Sequence, residues 1–268
     1  MLQTAPQILA PDELPATEVI NPAGPGPVVL VCEHASARIP AALDGLGLRP
    51  EDRQSHAAWD PGALDLARAM SEQLQAPLVA SRVSRLVYDC NRPPEAASAT
   101  PARSEVVEVP GNRDLTADQH AARVTEVYQP FRDALARVLD RHGGAVVTIH
   151  SFTPLWHGQQ RATEIGLLHD RDSRLANAMM AEWNGPLTAA LNAPYSASDG
   201  VTHTLALHAL PRQRLNVMIE VRNDLLTTPE AIARVADQLC AVLSRSLGQF
   251  GTRSTACCQD GPATGGTP

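Results

Sequence analysis

The chain has 268 residues and a formal net charge of -7, so it lacks the basic face that phosphate-driven nucleic-acid binding requires. All 22 of its Lys+Arg residues are arginine, which removes Schiff-base and P-loop lysine chemistry. The length suits one α/β domain with a single large core, and no apolar run approaches a membrane span.

In chain order, residues 1–26 are rich in Pro, Ala and Gly and predict a loose N-terminal segment. They carry no basic stretch followed by an apolar one, so neither a secretory signal nor a transit peptide is expected, and a cytoplasmic location follows. PVVLVC predicts a first buried strand, leading to Glu33 and His34. Asp60 and Pro61 predict an N-cap and first turn for the helix GALDLARAMSEQL. PLVAS and RLVYDC predict two further strands, followed by a long irregular stretch from Asn91 to about Leu115. Thr116 and Gln119 form a capping-box pattern before HAARVTEVY, and Pro130 should kink or split that helix from FRDALARVLDRH. GAVVTIH, EIGLLH and RLNVMIE predict strands, with a weaker strand pattern in HTLALHAL. Thr227 with Glu230 predicts a capping box before AIARVADQLCAVL, and residues 251–268 predict a flexible tail.

Strands alternating with amphipathic helices predict a three-layer α/β/α sandwich around a mixed, mostly parallel sheet, with residues 27–250 as one catalytic domain. Cys32 and Cys90 fall in predicted strands, Cys240 in a helix, and Cys257 and Cys258 in the tail, which is neither a disulfide framework nor a thiolate zinc site.

Three of the apolar runs close on side chains suited to a metal centre: His34, His150 and Glu220. Ligands of open α/β sheets collect outside the carboxyl ends of the strands, so these side chains should converge. A catalytic zinc takes three protein ligands and keeps a position open for water. His34, Asp60 and His150 can supply them, with His56 and Glu33 in reserve. Asp before Pro is also an ordinary helix cap, which is the competing role for Asp60. Glu220 suits a general base that takes a proton from water polarised by the metal and delivers it to a leaving nitrogen. Asn91 and Arg92 suit recognition of a substrate carboxylate, the planar guanidinium fork matching it bidentately, with Arg85 and Arg222 as further candidates. His157, His203 and His208 are scattered histidines that could line the pocket.

The segments VCEHASARIP, HAAWDPGA, SRLVYDCNRPP, IHSFTP, EIGLL, NAPYS and IEVRNDL occur in the order found in the N-formylglutamate amidohydrolase family, and the chain resembles that family from about Val28 to Leu225. A more distant resemblance reaches the zinc carboxypeptidases and acylamino acid deacylases. The likeness implies a zinc exopeptidase-like, phosphorylase/hydrolase-like fold and one zinc ion, exchangeable with another divalent metal. It also implies cleavage of N-formyl-L-glutamate to formate and glutamate, with Asn91 and Arg92 on the substrate carboxylate, His150 on zinc and Glu220 as base. Zinc carboxypeptidases carry a Glu three residues after the first ligand His, where this chain has Ala37; Asp60 looks like its replacement. The partner implied is a small acyl amino acid, with no nucleic acid or membrane. Competing readings are a deacylase or carboxypeptidase of other preference, and a non-catalytic binding protein. A metal-free esterase lacks support, because no GxSxG elbow is present and Ser151 has no evident nucleophile geometry.

Overall fold

The computed structural model describes residues 7–156 and 158–251. His157, Cys257, Cys258 and the expected tail from 252 onward lie outside the described residues. Seven strands build one sheet: β1 (Thr17–Ile20), β2 (Val28–Cys32), β3 (Leu78–Ser81), β4 (Ala145–Phe152), β5 (Ile165–Leu168), β6 (Ala189–Leu191) and β7 (Asn216–Arg222), in the order β1-β3-β2-β4-β7-β5-β6. The pairings β2/β3, β2/β4, β4/β7 and β5/β6 are parallel; β1/β3 and β5/β7 are antiparallel. Helices α1 (Ala63–Leu74), α2 (Ala117–Arg123), α3 (Gln129–Arg141), α4 (Arg174–Ala181) and α5 (Pro229–Gly251) flank it.

Alternation along the central strands divides the core into two layers. Val28, Leu30 and Cys32 pack with Leu66 and Met70 of α1, Met179 of α4 and Leu239 of α5, while Val29 and Val31 pack with Phe131 and Leu135 of α3 and with Leu86. Each fully buried aliphatic side chain contributes about 1.5–3 kcal/mol by leaving water, so both faces of the central strands are held down. That is why these strands read as unbroken apolar runs. The arrangement is the expected α/β/α sandwich with a mixed, mostly parallel sheet. Cys32, Cys90 and Cys240 are buried free thiols. Among the described residues, no helix is long and apolar enough to cross a membrane.

Several local expectations are corrected. RLVYDC is not a strand. The amides of Val87 and Tyr88 both bond to the Ser84 carbonyl at 2.9 and 3.3 Å, and that of Leu86 to Ser84 Oγ at 3.1 Å, so they turn locally. The neighbouring β3 is already paired on both sides, by β1 and β2, and the apolar side chains of this segment fill core instead. HTLALHAL is helical, with a π turn over Leu205–Ala209. Leu205 and Ala209, four apart, are buried, while Leu207, which an alternating strand would place with Leu205, is exposed.

The N-terminal stretch is also tied down further than its composition implies. Residues Thr17–Ile20 cover the edge of β3, Ile8 and Leu9 are buried, and the Glu126 carboxylate accepts their amide hydrogens at 3.0 and 2.9 Å. The Thr116–Gln119 capping box forms, at 2.9 and 3.2 Å. Pro130 causes no break, because a π turn over Val124–Tyr128 joins α2 to α3 and absorbs the residue that lacks an N–H. At α5 the hydroxyl accepting the amide of Ala231 belongs to Thr228, one residue after the expected cap. Helix α4 and strand β6 were not anticipated, both being short.

Candidate active site

The side chains of interest sit at the carboxyl ends of β2, β4 and β7. His34 follows β2 by two residues. His150 and Glu220 are register partners across the parallel β4/β7 pair, and Glu220 faces Gly166 of β5 on its other side. A Cβ at Gly166 would lie 2.2 Å from the Ala193 carbonyl oxygen and 3.1 Å from Glu220 Cβ, so this close approach requires glycine. Gly166→Ala is expected to lower the unfolding free energy by about 1–3 kcal/mol through overpacking, measured by denaturant titration. An unchanged midpoint would mean that the 193–195 loop yields freely.

Asp60 is not the helix cap anticipated for it. The α1 N-cap is Gly62, at φ 79°, and the Asp60 carboxylate turns inward. Its Oδ2 lies 3.3 Å from His34 Nδ1, 2.9 Å from His150 Nδ1 and accepts from the Ser151 amide at 3.2 Å, while Oδ1 accepts from Arg85 Nη1 at 3.3 Å. The Asp60 amide in turn donates to the His34 carbonyl at 2.9 Å, fixing the loop between them.

Both imidazoles present Nδ1 to this centre and Nε2 to a carboxylate behind it. His34 Nε2 bonds Asp89 Oδ1 at 2.7 Å, and His150 Nε2 lies 3.1 Å from Glu33 Oε2, paired in charge though off the line of a hydrogen bond. A neutral ring that directs its N–H outward to such a carboxylate turns a lone pair inward, the arrangement of metal-ligating histidines with their supporting acids. Here the two Nδ1 atoms approach to 3.2 Å with Asp60 Oδ2 beside them. Three electron-rich atoms meeting this closely demand positive charge between them, as protons or as a cation. The electrostatics express the same demand. Burial works to lower the basicity of His150 and to raise the pKa of Asp60, yet Glu33 and Asp60 hold His150 well above its usual range, and His34 and His150 hold Asp60 well below. His34, Asp60 and His150 are buried and form, among the described residues, a group that could hold a metal ion.

Glu220 stands beside this group but outside it. It is buried, and among the described residues its Oε2 has no hydrogen-bond partner. Burial, with the charge of Asp60 adding, pushes it up to about 7 against the opposing pull of His150, His34 and Arg85. A carboxyl poised there can both accept and return a proton near neutrality.

These groups open into a pocket of about 260 Å³ lined by His34, His150, Glu220, Arg85, Asn91 and Arg92 among others. Of the expected carboxylate binders, Arg92 lines the pocket, and among the described residues its Nη1 donates to the Asn91 carbonyl, at 2.9 Å. Arg85 is divided between Asp60 and Asp89, both at 3.3 Å. Asn91 uses its amide to clamp the chain ahead of the π turn, donating to the Val201 carbonyl and accepting from the Thr204 amide at 3.0 Å. Arg222 does not line the pocket. It bonds Asp224 and Glu164 at 2.8 and 3.2 Å and pins the 161–164 loop. The reserve ligands also lie outside the cluster, with Glu33 behind His150 and His56 at the rim bonded to Glu105 at 2.8 Å. His203, bonded to the Tyr128 hydroxyl at 2.9 Å, and the buried His208 do not line the pocket either. The Ser151 hydroxyl donates to the Pro61 carbonyl at 2.7 Å and, among the described residues, meets no base.

Sequence reasoning missed Asp89, whose signal was present as an acid closing the apolar segment RLVYDC. It also missed Glu105, Asp199 and the aromatic wall of Trp156 and Tyr195, which come from loops without periodicity. Arg161 backs that wall, its guanidinium 4.7 Å from the Trp156 ring centre and 5.0 Å from that of Tyr195.

Comparison with known proteins accords with this geometry. The family model for N-formylglutamate amidohydrolase matches residues 26–227. The chain belongs to the N-formylglutamate amidohydrolase family. That family is one of hydrolases acting on amide bonds, and its matched span contains every residue of the site. Among solved structures, the gene product Atu2144 from Agrobacterium tumefaciens is 49% identical, with 91% of this chain and 100% of that chain covered and a TM-score of 0.90. N-formylglutamate amidohydrolase from Ralstonia eutropha JMP134 is 18% identical, with 89% and 98% covered and a TM-score of 0.67, a likeness of fold. No curated protein matches the chain significantly.

Proposed function

We propose that this member of the N-formylglutamate amidohydrolase family is a metal-dependent hydrolase of small N-acyl amino acids, with N-formyl-L-glutamate as the substrate named by the family. The observation that carries the reading is the meeting of His34 Nδ1, His150 Nδ1 and Asp60 Oδ2, each imidazole backed by a carboxylate, beside a buried glutamate with an unpartnered oxygen. Two imidazoles and one carboxylate fit zinc, and His34, Asp60 and His150 would hold it. Bound there, zinc would supply Lewis-acid polarisation of the acyl oxygen and would acidify water towards neutrality.

The remaining work falls to the chain's own groups. Arg92 holds the amino acid's carboxylate and so presents the acyl carbon to the centre. Glu220 accepts a proton as water adds to that carbon and returns it to the departing nitrogen, so that the C–N bond breaks to release the acid and the amine. Buried Glu33 and Asp89 keep the two imidazoles in the orientation this requires.

The test is formate release from N-formyl-L-glutamate by zinc-loaded protein, compared with release of C-terminal residues from peptides. Arg92→Ala should raise KM at least tenfold, roughly the loss of a charge-assisted pair, with a smaller effect on kcat. Peptide trimming without deformylation, or no hydrolysis by the loaded protein, would overturn the proposal.

A further inference from the structure

A dicarboxylic amino acid brings two carboxylates to the pocket, and two guanidinium groups there are free to meet them. Arg85 is committed to Asp60 and Asp89, whereas Arg92 and Arg161 form no ion pair among the described residues. Arg92 lines the pocket directly. Arg161 stands behind the aromatic wall, its guanidinium carbon 4.7 Å from the Trp156 ring centre, 5.0 Å from that of Tyr195 and 5.3 Å from that of Phe152. The chain leaves it little freedom. Arg161 closes the hairpin of Leu155–Trp156 and Gln159–Gln160: its amide donates to the Pro154 carbonyl at 2.8 Å, and its carbonyl accepts from Arg222 Nη1 at 3.1 Å. Its own Nη1 donates to the Thr153 carbonyl at 3.3 Å and to the Tyr195 hydroxyl at 3.2 Å.

Because Tyr195 accepts from this guanidinium, its O–H is left to donate into the pocket that the ring lines. Burial and the charge of Glu220 push the hydroxyl above its usual range against the pull of Arg161, so it keeps its proton. The field of Arg161 also reaches Glu105 in the lining: burial works to raise that carboxyl, yet His56, Arg85 and Arg161 hold it below its usual range. Glu105 is matched by His56 at 2.8 Å, and Asp199 is exposed, where solvent screens it. We infer that Arg161 and the Tyr195 hydroxyl form a second carboxylate subsite, opposite in duty to Arg92, that sets a preference for an acidic side chain on the substrate. Tyr195 donates to the side-chain carboxylate, and Arg161 is the positioning residue that orients the hydroxyl and supplies the positive charge behind it. Arg222 then serves the pocket from outside by holding Arg161. The inference rests on the reading of the site as an acyl amino acid hydrolase and adds the residues that select among its substrates.

N-formyl-L-glutamate and N-formyl-L-glutamine form a nearly isosteric pair that differs in this one charge. Metal-loaded full-length protein is assayed for kcat and KM on both, and the Glu220→Gln chain is titrated with both by calorimetry for Kd. The glutamate derivative should be favoured by about tenfold or more in kcat/KM and in Kd. Arg161→Gln should shrink that ratio several-fold, chiefly by raising KM for the glutamate derivative, and Tyr195→Phe, which keeps the ring and removes the donor, should shrink it as well. Tyr195→Phe carries the test alone if Arg161→Gln fails to fold. Equal use of the two ligands by the unaltered protein, or preference for glutamine, overturns the inference. A ratio that persists in Arg161→Gln while both substrates lose activity alike also overturns it, and reduces Arg161 to a prop for the wall. A Kd ratio that survives without turnover would support the inference and sink the hydrolase reading. Binding of neither ligand would sink both.

Discussion

Glu220→Gln is expected to lower kcat by about 10²–10⁴-fold, the range lost with a general acid–base group, while leaving the metal content of the protein unchanged. The expectation follows from where the side chain sits. It is buried at the end of β7 with one oxygen unpartnered, adjacent to His150 but outside the His34, Asp60 and His150 group. Glutamine keeps the shape and removes the capacity to take a proton. Elemental analysis and steady-state kinetics on the same preparation separate the roles, because a ligand would cost metal and activity together. Retention of near-normal kcat with full metal would remove Glu220 from the chemistry and return the proton to some other group.

Asp60→Asn should abolish stable metal binding, with an affinity loss exceeding the about 10–100-fold typical of a supporting residue behind a ligand, and turnover should fall with it. The substitution discriminates well because asparagine is as good a helix cap as aspartate. A residue that merely began α1 would be replaced without consequence. Here the carboxylate is shared by His34, His150, the Ser151 amide and Arg85, so loss of its charge leaves those donors around a neutral amide. Competition with a chelator of known affinity measures the effect, and wild-type affinity in the variant would make Asp60 a spacer between the imidazoles.

The central strands were legible in the sequence because a strand buried on both faces has a single composition, and their polar terminators marked the end at which ligands collect. His34, His150 and Glu220 were found in that way. The same signal misled at RLVYDC and HTLALHAL, where apolar residues fill core from a turn and a π turn. Short apolar runs record burial, and the partner available to the backbone decides the conformation. Asp60 was ambiguous since a cap and a ligand use the same atoms, and only the direction of its carboxylate separates them. Arg222 was misplaced for a related reason, the sequence being unable to show that Asp224 and Glu164 meet its guanidinium first. The rim was the least legible part. Glu105 sits on the Arg103–Glu108 hairpin and Asp199 in the turn after Tyr195, and neither position carries a periodic pattern.

Asp89 ties two parts of the site together. One of its oxygens takes both His34 Nε2, at 2.7 Å, and the Asn91 amide, at 2.9 Å, and the other takes Arg85. Asn91 in turn anchors Val201 and Thr204 and precedes Arg92 directly. A single carboxylate is therefore the common footing of the imidazole at the metal end and of the loop that carries the guanidinium at the other. Were occupancy of one end to change the affinity of the other, reciprocity would require the converse effect by the same factor.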